Sequence, residues 1–81
     1  MELQTELSGR HKNVLKRLRS GYIMWLDNKS GNYWMHGVGG FKRVRRSVAH
    51  SLVEKNLIEP YTNLISHIDY RLTIIGKDIE I

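Results

Sequence analysis

Not one of the chain's 81 residues is cysteine. A domain this small lies near the lower limit of what folds without a covalent or metal staple, so its stability has to come from packing alone. The apolar residues must then fall into a few periodic segments that bury one another. With 41% hydrophobic and 26% charged residues there is material for one ordinary globular domain over 1–81. The same absence excludes disulfides and thiolate metal sites. No apolar run nears the ~20 residues of a membrane span, so no membrane partner is expected. Met1 to Glu6 holds two acids and no basic stretch, so no secretory signal is expected either.

The segments can be read in order. Ser8 suits an N-cap, and His11, Val14, Leu15 and Leu18 recur behind it at helical spacing until Gly21. This predicts a first helix over Gly9 to Ser20. Tyr22 to Leu26 and Asn32 to His36 are rich in β-prone residues, with the turn cluster Asp27-Asn28-Lys29-Ser30-Gly31 between them, and they predict a β-hairpin. Gly37-Val38-Gly39-Gly40 reads as a flexible turn. A second helix is expected over Lys42 to Lys55, with Val44, Val48, Ala49, Leu52 and Val53 inward. Asn56 can end it in a left-handed conformation. Leu57-Ile58-Glu59 and the alternating Ile68 to Leu72 predict a second hairpin turning at Asn63 and Ser66. Thr73 can cap a last short turn that Gly76 breaks. The expected class is α+β in the order α-β-β-α-β-β, two helices packed with two β-hairpins. Val14, Leu15, Leu18, Val48, Leu52 and Leu72 should share one core.

Charge points to a partner. From Arg10 to Arg46 there are ten Lys and Arg against the single acid Asp27, a local +9, while the flanks carry −4. That asymmetry predicts a face built for a polyanion. On the first helix Arg10, Lys12, Lys16 and Arg17 lie outside the apolar stripe. At the start of the second, Lys42, Arg43, Arg46, Ser47 and His50 are the candidate nucleic-acid contacts. A helix N-terminus offers free N–H groups to phosphate, and arginine bridges phosphate or reads guanine with two bonds. Arg45 falls within the apolar arc and is expected to snorkel instead of pointing out.

Several stretches resemble the winged helix-turn-helix family. Ser47 to Pro60, reading Ser-Val-Ala-His-Ser-Leu-Val-Glu-Lys-Asn-Leu-Ile-Glu-Pro, resembles the family's recognition helix and first wing strand. Tyr70 to Gly76, reading Tyr-Arg-Leu-Thr-Ile-Ile-Gly, resembles the close of the wing, and Leu7 to Leu18 its first helix. The resemblance is closest to very small phage and prophage members. It implies a winged-helix-like fold, a second helix that enters the major groove of double-stranded DNA, a second hairpin acting as the wing, and a transcriptional regulator working in the cytoplasm of a bacterial host. The sequence departs from the family where its second helix belongs, since Tyr22 to Gly40 reads as a hairpin and a glycine turn.

The remaining residue types admit other chemistries. Tyr22, Trp25, Tyr33 and Trp34 could stack on bases, but a domain with little else to bury is expected to use them in its core. The histidines at 11, 36, 50 and 67 lack zinc-site spacing, so no metal or other cofactor is expected. Without cysteine, with no evident His/Asp partner for the serines and with the acids on the flanks, no enzyme is expected. A homodimer is expected, through the N-terminal segment or the exposed aromatics of the first hairpin. The alternative function is a phage-encoded, anti-CRISPR-like inhibitor that contacts a host protein, a nuclease or defence complex.

Overall fold

The structure, a computed structural model, describes residues 7–81. Its elements are α1 (Gly9–Arg19), β1 (Ile23–Asp27), β2 (Tyr33–Gly37), β3 (Gly40–Val44), α2 (Arg46–Glu54), β4 (Ile58–Pro60), β5 (His67–Leu72) and α3 (Ile74–Asp78). The five strands form one antiparallel sheet in the order β3-β2-β1-β5-β4. The fold is therefore α+β, as expected, but with three helices and a continuous sheet in place of two separate hairpins. β1 joins the hairpins by pairing with both β2 and β5.

Local capping chemistry fixes both longer helices. The Ser8 hydroxyl accepts the His11 N–H, and the His11 ring accepts the Ser8 N–H, a reciprocal capping box at the start of α1. At its end Gly21 is at φ +104°, while Tyr22 N–H donates to the Arg17 carbonyl and Gly21 N–H to that of Leu18. This is a Schellman closure, and α2 ends the same way: Asn56 sits at φ 61° and Leu57 N–H donates to the Leu52 carbonyl at 2.9 Å. The Thr73 hydroxyl caps α3 by accepting from Gly76 N–H. Gly76 does not break that helix as expected. It is buried within it, because a Cβ there would come within 2.0 Å of the Leu57 carbonyl oxygen.

One expected boundary is corrected. Gly37 to Gly40 is not a loose turn before a long helix. Gly39 and Gly40, at φ +94° and +100°, close a tight hairpin between β2 and β3. Lys42 and Arg43 therefore lie on a strand, and α2 begins only at Arg46. Val44 is still buried, but from the strand, and Val53 is 37% exposed instead of inward.

One face of the sheet, carrying Met24, Tyr33, Met35, Val44, Ile58 and Leu72, packs against Val14 and Leu15 of α1 and Val48, Ala49 and Leu52 of α2. Leu18 packs against this core from its edge. The residues that alternate with these, including Trp25 and Trp34, point to the opposite face, which no helix among the described residues covers. Of the aromatics expected inside, only Tyr33 is buried, with Tyr22 packed against the core's margin. Two competing requirements explain this: a two-layer domain has one core, and period-2 alternation sends half of each strand's residues away from it.

Candidate nucleic-acid interface

The basic residues come together where α1 passes the edge strand β3. A cleft of about 210 Å³ lies there, lined by Arg10, Asn13 and Arg17 of α1, Lys42 and Arg43 of β3, and Arg45 at the junction into α2, over a floor of Val14, Met35, Val44 and Val48. Five of these residues are cationic and none is acidic. Helical spacing puts Arg10, Asn13 and Arg17 on one side of α1. On β3, Lys42 pairs with buried Met35 and so stands on the helix side of the sheet. Arg45 has an extended backbone (φ −60°, ψ 135°), which turns the chain from strand to helix.

Arg45 is the residue that sequence reasoning misplaced. Read as part of a helix beginning at Lys42, it falls on the inner arc. As the N-cap of a helix beginning at Arg46, it is exposed and lines the cleft. The flanking pattern held a usable clue: the glycines at 37, 39 and 40, between β-prone His36 and Phe41, mark a hairpin as readily as a linker.

The remaining candidates divide. Lys12 and Lys16 are exposed, but on the side of α1 away from the cleft. Arg43 pairs with Trp34, so strand alternation directs its side chain to the uncovered face even though its backbone borders the cleft. Arg46, Ser47 and His50 are exposed along α2. Arg46 reaches back to donate to the Asn32 side chain at 3.5 Å, which ties the helix to the β1–β2 turn. The His50 ring stands edge-on to Tyr33 at 5.5 Å. Burial pushes the Tyr33 phenol up to about 12, so it stays neutral behind this surface.

No ion pair among the described residues compensates the cluster. Among the described residues the ion pairs are Arg71–Glu59 at 3.0 Å and His67–Asp69 at 3.6 Å, both on the far side of the sheet from the cleft. The first turn of α2 holds no acid, and the Arg45 side chain makes no capping hydrogen bond. Its leading N–H groups thus open beside Arg43, Arg45, Arg46 and Ser47. The loop joining β4 to β5, residues 61–66, has no lysine or arginine. The four histidines lie in four separate places, and no group of three metal-ligating side chains occurs among the described residues. Among the described residues no helix is long and apolar enough to cross a membrane.

Comparison of the chain with protein-family models, with curated proteins and with solved structures finds no match.

Proposed function

We propose that the protein binds double-stranded DNA, with the cleft between α1 and the β3–α2 junction holding backbone phosphates. One observation carries the reading: two segments well separated in the chain, α1 and the β3–α2 junction, bring Arg10, Arg17, Lys42, Arg43 and Arg45 to one cleft with no acidic residue among the described residues that line it. Gathering like charges destabilises a fold, and a bound polyanion offsets that cost. The open N-terminus of α2 adds backbone N–H donors beside the cluster.

In the winged-helix reading, α2 presents Arg46, Ser47 and His50 to the groove while α1 and β3 set register on the backbone, and the protein serves as a small regulator of phage or prophage type. The loop between β4 and β5, lacking cations, then contributes shape and not phosphate contacts. An anisotropy titration against random duplexes at two salt concentrations tests the proposal. Binding at about 10 µM protein in low salt is expected, weakening with a log–log slope of about −0.9 per phosphate neutralised. No binding under those conditions overturns it and leaves the host-protein inhibitor as the reading to pursue.

A further inference from the structure

The face of the sheet turned away from the helices carries a row of four residues, one from each of four adjacent strands. The cross-strand register aligns Arg43 of β3 with Trp34 of β2, Trp34 with Trp25 of β1, and Trp25 with Asp69 of β5. The row has a cation at one end, an anion at the other and two indoles between. Beside it Phe41 is 66% exposed and Ile23 is 54% exposed, with the Phe41 ring edge-on to Trp25 at 5.9 Å. A sheet face of this apolar character marks an interaction surface.

We infer that this face binds a second copy of the same chain, forming a two-fold sandwich of sheets. The charge order decides the occupant. Rotation by 180° about an axis parallel to the strands, between β1 and β2, exchanges the ends of the row. Arg43 of one copy then faces Asp69 of its partner at both ends, and Trp34 faces Trp25 twice. A surface that is complementary to itself under a two-fold is what an isologous interface requires. Near-aligned strands also match how sheets stack face to face. A nucleic acid fits this row poorly, because Asp69 stands at one end and Asp27 borders the same hollow as the two tryptophans. The Asp69 carboxylate accepts from the Thr62 hydroxyl at 3.1 Å and lies 3.6 Å from the His67 ring, so it is oriented while still 27% exposed. The inference does not rest on the DNA reading: the basic cleft opens on the other side of the sheet, and the two surfaces share only Arg43, whose backbone borders the cleft while its side chain belongs to the row.

The chain's two tryptophans both lie in this row, so intrinsic fluorescence reports on it directly. Sedimentation equilibrium and tryptophan emission are measured together from about 1 µM to about 1 mM. A monomer–dimer equilibrium is expected, with emission shifting to the blue as the dimer forms. Arg43→Asp should weaken the dimer roughly tenfold or more by setting like charges face to face. Combining Arg43→Asp with Asp69→Arg reverses both ends of the row and should restore it. Asp69→Arg also removes the Thr62 contact, so Phe41→Asp is a second probe. It alters an exposed side chain on the edge strand, should leave circular dichroism unchanged, and should yield monomer. A wild-type monomer throughout the range overturns the inference. So does a dimer indifferent to both Arg43→Asp and Phe41→Asp, or a monomer whose tryptophans are quenched stoichiometrically by a single-stranded oligonucleotide.

Discussion

The ring of Tyr22 lies against the α-carbon of Gly37, so closely that a Cβ at position 37 would come within 2.5 Å of the ring atoms. The Tyr22 hydroxyl reaches on past it to donate to the Val38 carbonyl at 2.8 Å. Glycine is required at 37 because an aromatic ring occupies the space of a side chain, which clamps the tip of the β2–β3 hairpin to the end of α1. Gly37→Ala should therefore destabilise the fold by about 1–3 kcal/mol, as overpacking does. In a Tyr22→Ala background the same change should cost much less, and a double-mutant cycle by chemical denaturation reads the coupling.

Leu52 is fully buried, and its carbonyl also closes the end of α2. Truncation to alanine removes side-chain volume beneath the sheet without touching that backbone bond. Leu52→Ala should cost about 2–5 kcal/mol in urea denaturation. Val53→Ala, one residue on and partly exposed, should cost well under half as much.

His11 gives the fold a pH dependence. Its Nδ1 accepts the Ser8 N–H at 3.2 Å, and its Nε2 is buried with no hydrogen-bond partner among the described residues. Burial first, and nearby Lys55 second, hold the ring below its ordinary 6.5. The unfolded chain thus takes up this proton more readily than the folded one. Stability is fully present above pH 6.5 and falls as pH drops below it. Asp27 is shifted downward as well, chiefly by the Ser30 hydroxyl, but its loss begins only below its ordinary 3.8, a separate window. His11→Gln preserves an acceptor for Ser8 and should flatten the melting temperature between about pH 6.5 and pH 5.

If the cleft holds DNA as proposed, equal charges on α1 have unequal roles. Arg17→Ala should weaken binding to every duplex alike and lower the salt slope by roughly one. Lys12→Ala removes the same charge from the other side of the helix and should leave the slope nearly unchanged. On α2, Arg46→Ala should cost about 1–3 kcal/mol and relax preference at one base pair, if measured against a selected site. Equal slopes for the Arg17 and Lys12 variants would place the phosphates elsewhere.

What the sequence determined by itself are the features written within a few residues: the Ser8 cap and Gly21 stop of α1, Asn56 past the end of α2, the alternation of β5, and the Thr73 cap of α3. Each is a short-range hydrogen bond or a backbone conformation that one or two side chains select, so its signal is local. The concentration of positive charge in one half of the chain was equally legible. The fate of Phe41 to Arg45 was not. Val44 continues the helical spacing of Val48 and Leu52, yet the stretch becomes β3 because β2 offers it a ladder and Gly39 and Gly40 accept the positive φ that turns the chain back. Pairing across the hairpin, not local preference, moved Lys42 and Arg43 off the helix and brought Arg45 into the cleft. Tertiary structure likewise decided which face of the sheet is covered. Alternation alone splits Tyr33 and Met35 from Trp34 without saying which side the helices take, and only their packing on the Tyr33 side left the two tryptophans aligned on the open one.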